Sequence, residues 1–188
     1  MRKIALIFCS LVYAFVLSGS ASAQVPMSGN VFFGYSYSNP NLFNSSRINM
    51  NGWDASVEGK VLPFIGIVAD FDSHYGSQSF PAACPVSAPN CNASISLNFT
   101  EHNYLFGPRA SFSVGKVRPF AEVLIGAGHV HMNDGNSDTS FATAVGGGVD
   151  LKLLKLLAWR VQGDYVHTDL FNIAQNNVRI STGIVVRF

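Results

Sequence analysis

The sequence predicts an all-β fold, with eight antiparallel strands closed into an up-and-down barrel. Three observations carry this. Apolar and polar residues alternate with period two along most of the chain after residue 23, as in strands whose two faces meet different surroundings. The alternating runs are mostly 9–12 residues long, whereas a strand of a soluble domain has ~5–6. The connections between runs alternate long and short, clearly in the first half and weakly in the second, the rhythm of a barrel with loops at one end and turns at the other.

The runs fall at about 30–38, 51–61, 64–75, 97–112, 120–131, 140–151, 158–168 and 177–188. The first carries Gly34 between ring-bearing Tyr35 and Tyr37 and the preceding apolar residues. In the second, Trp53, Ala55, Val57 and Val61 oppose Asp54, Ser56, Glu58 and Lys60. The third, fourth and fifth each place charges at alternate positions, with Asp70 and Asp72, Glu101 and Arg109, and Glu122. In the sixth, Phe141, Thr143, Val145, Gly147, Val149 and Leu151 oppose Ala142, Ala144, Gly146, Gly148, Asp150 and Lys152. In the seventh, Trp159, Val161, Gly163 and Tyr165 oppose Arg160, Gln162 and Asp164. The last has Val178, Ile180, Thr182, Ile184, Val186 and Phe188 on one face and Arg179, Ser181, Gly183, Val185 and Arg187 on the other.

Composition narrows the function. Only 12% of the 188 residues are charged, against about 25% in an average soluble domain. The mean hydropathy is +0.24 and the formal net charge is +1. A nucleic-acid partner is excluded by that balance, and disorder by the 15 Phe.

Residues 1–23 read as a secretory signal peptide. Arg2 and Lys3 precede an apolar run from Ile4 to Leu17, and Ala21-Ser22-Ala23 completes the small-residue site, so cleavage is expected between Ala23 and Gln24. An anchor helix is the alternative, but the run has 14 residues where a span needs ~20. Residues 24–188 are then the barrel domain. Cleavage removes Cys9 and leaves Cys84 and Cys91. An even pair in an exported chain reads as a disulfide; a metal site is the weaker alternative, since two thiolates lack a matching pair.

Periodicity does not say which face is inside. A soluble barrel buries its apolar face, and a membrane barrel turns it to lipid and lines the interior with polar groups. The export signal and the strand lengths favour the membrane. A faint repeat agrees with them. Lys60-Val61-Leu62-Pro63-Phe64, Lys116-Val117-Arg118-Pro119-Phe120 and Lys155-Leu156-Leu157-Ala158-Trp159 each end a turn with an aromatic, as an interfacial girdle would. Tyr35, Tyr37, Trp53, Phe71, Tyr75, Phe80, Phe141, Tyr165 and Phe171 would form the second girdle.

The third signal is the end of the chain, Ser181-x-Gly183-x-x-Val186-x-Phe188. It resembles the insertion signal of bacterial outer-membrane barrels. With it, residues 24–188 resemble the small eight-stranded outer-membrane barrel family, the OmpA-like and OmpX-like barrel domain, without a peptidoglycan-binding domain. The resemblance is one of pattern and terminal motif. It implies a transmembrane barrel in the outer membrane, in contact with its lipid and lipopolysaccharide and inserted by the barrel-assembly machinery. Both ends of the mature chain would face the periplasm, and the loops at about 39–50, 76–96, 132–139 and 169–176 would face outward.

An eight-stranded barrel has an interior just wide enough for side chains. Charges there must pair, since an isolated buried charge costs several kcal/mol. The expected network comprises Glu58, Glu101, Arg109, Glu122, Asp150, Arg160, Asp164 and Arg179, accompanied by Asp54, Asp70, Asp72, Lys60, Lys152 and Arg187, with Glu101, Arg109, Glu122 and Arg160 at its centre. The five His are expected near water at the loop ends.

No cofactor or metal motif is read. The main functional expectation is a structural or surface-interaction protein acting through its extracellular loops, foremost a surface ligand at the 76–96 loop. A narrow porin-like channel is the alternative. A lipid A-modifying enzyme is the second, for which His129, His131, Ser137, Ser140 and the His167-Thr168-Asp169 run are weak candidates, and the protein is therefore expected not to be an enzyme.

Overall fold

A computed structural model describes residues 28–40, 47–81, 94–133, 135–170 and 174–188. The Ala23–Gln24 junction, Cys84, Cys91 and Phe171 lie outside the described residues. The strands are β1 (Gly29–Ser38), β2 (Met50–Lys60), β3 (Ile65–Pro81), β4 (Ser94–Ser111), β5 (Val117–Met132), β6 (Ser137–Lys152), β7 (Leu157–Thr168) and β8 (Gln175–Arg187). Each pairs antiparallel with its sequence neighbours, and β1 pairs with β8, so the sheet closes into an eight-stranded barrel. Closure leaves no edge within the barrel wall, which a bilayer requires because it holds no water for free backbone groups.

The alternation seen in the sequence becomes the two sides of the wall. Phe33, Val57, Val123, Ile125, Val145, Ile180 and Ile184 are exposed on the outside. Asp54, Glu58, Asp70, Glu122, Asp150, Asp164, Arg109, Arg160 and Arg179 are buried inside. Inside-polar and outside-apolar is the arrangement of a barrel in lipid.

One end has short turns, at 61–64, 112–116 and 153–156. The middle one turns through Gly115, at φ 62°, where a Cβ would be strained. The other end carries the connections 39–49, 82–93, 133–136 and 169–174. Two of these differ from expectation. Residues 76–81 and 94–96, expected as loop, are strand, since β3 and β4 stay paired out to Pro81↔Ser94. The alternation fades there, while the backbone ladder continues. The β5–β6 connection is a tight turn, in which Gly135 at φ 90° donates its N–H to the Met132 carbonyl at 3.1 Å.

Strand β5 also starts earlier than its proline suggests. Pro119 is within the strand, opposite Val149, and its carbonyl accepts from the Phe112 N–H at 3.3 Å. This register carries Arg118 and Phe120 onto the same face as Glu122.

Candidate functional site

The lumen is built in layers. Nearest the short turns, Glu58 is the hub. Its carboxylate meets Lys60 Nζ at 2.8 Å, Arg118 Nη2 at 3.2 Å and Arg109 Nη1 at 3.4 Å, and accepts from the Asn30 amide at 2.8 Å. Gly66, on the adjacent strand, leaves the space: a Cβ there would stand 2.6 Å from Glu58 Oε1. Arg109 also donates through Nε to Glu122 Oε2 at 2.6 Å.

Beside this hub, Arg160 donates through Nε to Asp150 at 2.7 Å, and Arg187 meets the same carboxylate at 3.1 Å. The Phe120 ring separates the Arg109 and Arg160 guanidiniums, at 4.5 and 4.6 Å from its centroid, and Phe32 lies 5.1 Å from Arg160. Ring faces stabilise nearby cations, and here they keep two like charges apart. Phe120 is thus a lumen residue instead of a girdle ring. The repeat of turn aromatics pointed outward, but strand parity places Phe120 on the side of Glu122.

Farther toward the long-loop end, one cation serves three acids. Arg179 meets Asp70 at 2.7 Å, Asp164 at 2.9 Å, and also Asp72. Gln162 donates to Asp54 at 3.0 Å, and Asn103 donates to Asp72 at 2.9 Å and to Glu101 at 3.0 Å. Glu101 therefore departs from its expected role. No ion pair among the described residues includes it, because its register places it eight residues along β4 from Arg109, next to Asn103.

His74 is also a correction. It is fully buried, 2.8 Å from Ser36 Oγ and 3.0 Å from Asp72, since it shares the inward parity of Asp70 and Asp72. The other His behave differently. His129 bonds Thr139 at 2.7 Å and His167 bonds Asn176 at 2.8 Å, both outside the lumen core. Lys152 has the inward parity but is exposed, at the rim where the wall ends.

Charge counting missed Asn30, Asn103, Gln162 and Arg118. Asn103, Gln162 and Arg118 were findable, since each shares parity with a lumen acid on its own strand, whereas β1 holds no acid to mark Asn30. Apolar packing completes the fill. Val68, Leu105, Leu124, Ala142, Ala144 and Val166 form one cluster, and Ile48, Met50, Phe99 and Met132, with Leu97 against them, close the long-loop end. Ser181 faces inward, bonding Ser36 at 2.9 Å. Gly183 pairs with Gly34 across the β1–β8 seam, Val186 faces outward, and Phe188 closes the rim by donating its N–H to the Gly29 carbonyl at 3.1 Å.

Together these features define a transmembrane barrel whose interior is filled and ion-paired. Comparison with protein families finds no match, and none is found among curated proteins. Solved structures do match. Neisserial surface protein A is 11% identical, over 85% of this chain and 97% of that one, with a TM-score of 0.67. Ail, the attachment invasion locus protein of Yersinia pestis, is 17% identical, over 86% of this chain and 99% of that one, with a TM-score of 0.56. Outer membrane protein OprG of Pseudomonas aeruginosa is 7% identical, over 86% and 96%, with a TM-score of 0.55. At such identities the likeness is one of fold: the chain has the fold of the small outer-membrane β-barrels.

Proposed function

We propose that this protein is a bacterial outer-membrane barrel with a closed lumen and a surface-interaction role carried by its long-loop end, and that the β3–β4 hairpin is the principal contact element. The observation behind this is the hairpin's reach. Strand β2 pairs with β3 only as far as Asn51↔Tyr75, and β5 with β4 only as far as Phe99↔Met132. From Gln78↔Leu97 to Pro81↔Ser94 the two strands pair with each other alone, a ribbon standing roughly 10 Å beyond the wall at ~3.4 Å per residue.

The hairpin's chemistry suggests the kind of contact. From Tyr75 to Thr100 it holds no charged residue. Its base is lined by Asn49, Asn51, Tyr75, Ser77, Asn98 and Thr100. Neutral amides, hydroxyls and a ring suit an uncharged polar surface. Ail has been solved in complex with the heparin analogue sucrose octasulfate, but a polyanion is a poor fit here. Arg47 is the one Lys or Arg within segments 39–49, 75–100, 133–138 and 169–174, beside Asp134, Asp138 and Asp169.

The test is to replace residues 77–98 by an Asn-Gly turn and measure adhesion of bacteria carrying either form to epithelial monolayers and matrix-protein arrays. Loss of the adhesion shown by the intact protein, with that adhesion persisting in ~1 M salt where charge contacts are screened, is the expected result. Adhesion that survives the replacement would remove the hairpin from the role.

In this reading both ends of the mature chain face the periplasm, insertion uses the barrel-assembly machinery, and the wall contacts outer-membrane lipid and lipopolysaccharide. Cleavage after Ala23 and a Cys84–Cys91 bond belong to the same proposal. Intact mass before and after reduction reads both, and a mass retaining residues 1–23 would refute the first.

A further inference from the structure

We propose that the mouth at the short-turn end is a binding site for a phosphate group carried on an apolar chain. This inference is independent of the hairpin and of which way the barrel faces. The mouth is a cavity of about 620 Å³. Its floor and walls present Lys60, Arg118 and Arg187, with side chains only 13%, 12% and 21% exposed.

These cations are crowded beyond what their partners balance. Lys60 and Arg118 share the same two acceptors, Glu58 Oε1 and Ser111 Oγ, with Ser111 at 2.5 and 2.8 Å. Arg187 and Arg160 share Asp150. Lys60, Arg109, Arg118, Arg160 and Arg187 thus rely on Glu58, Glu122 and Asp150, five cations on three carboxylates. Half-desolvated cations with shared counter-charges favour an added anion.

Donors are also unspent. Arg187 Nε is buried and has no hydrogen-bond partner among the described residues. Among the described residues Arg118 bonds through Nε and Nη2, which leaves the N–H groups of Nη1 to donate to a phosphate oxygen. The rest of the lining combines Ser28, Asn30, Ser111 and Ser113 with an apolar rim. Val61, Leu62, Phe64, Phe112 and Phe188 line it and are exposed. A bare anion would leave that rim uncovered, whereas an alkyl chain beside the phosphate would cover it.

The experiment is calorimetric titration of the folded barrel in neutral detergent with hexyl phosphate, inorganic phosphate and hexanol. Hexyl phosphate is expected to bind saturably, with inorganic phosphate and hexanol each weaker by at least about tenfold. The double variant Arg118→Gln/Arg187→Gln is expected to lose at least about tenfold in hexyl phosphate affinity, its fold checked by heat-dependent gel mobility. Phe112→Ala, on the exposed rim, keeps the test independent of lumen folding. It should weaken hexyl phosphate and leave inorganic phosphate unchanged. The proposal fails if the double variant binds hexyl phosphate as the parent does. It fails equally if inorganic phosphate matches hexyl phosphate, which would mark a free-anion site, or if hexanol matches it, which would mark an apolar pocket.

Discussion

Arg179 shows how a single side chain organises the lumen. It is buried and holds Asp70, Asp72 and Asp164. Removing one partner of a buried ion pair typically costs 3–5 kcal/mol because the remaining charge stays desolvated. Arg179→Gln should therefore destabilise the folded barrel by about 3–5 kcal/mol, read as a lower urea midpoint in lipid vesicles. An unchanged midpoint would show that the three acids do not depend on it. At this scale the sequence was partly legible. Parity alone sends Arg109, Arg160 and Arg179 inward. It does not say which acid each one meets, and Glu101 was expected beside a cation but meets Asn103.

At the level of the strand, the two faces impose opposite demands. Ile180 and Ser181 are adjacent on β8, yet Ile180 is exposed outside and Ser181 is buried against Ser36. An arginine at the lipid face near mid-bilayer costs about 2–4 kcal/mol. Ile180→Arg should destabilise the barrel in vesicles by that amount, and should cost little if the apolar face does not meet lipid. The strand pattern was readable wherever the two faces differ. It failed for residues 76–81 and 94–96, where β3 and β4 continue beyond the apolar belt and both faces are alike. It also failed at Pro119, where a residue read as a turn signal sits inside β5.

For the molecule as a whole, the decisive property is how the lumen is filled. Arg109 and Arg160 stand on either side of Phe120, with Phe32 beyond Arg160, and apolar clusters occupy the middle and the long-loop end. Arg160→Ala should lower the unfolding temperature while leaving planar-bilayer conductance near baseline, because the other layers still close the interior. A large new conductance would mean that this one guanidinium is the barrier, and would favour the channel reading.

The closed eight-stranded wall was already present in the chain as written, because lipid and lumen impose a period of two on every spanning strand. Strand number, strand order and the identity of most lumen-facing charges, though not Arg118, followed from that period and from the turn spacing. The partners of those charges came only with the folded barrel. Closing β1 on β8 brings Asn30 to Arg160 and Arg109 to Glu58, residues far apart in sequence whose meeting depends on stagger around the barrel. The same closure gathers Lys60, Arg118 and Arg187 from three different strands around one mouth, and no local pattern encodes a convergence that exists only when the sheet is circular.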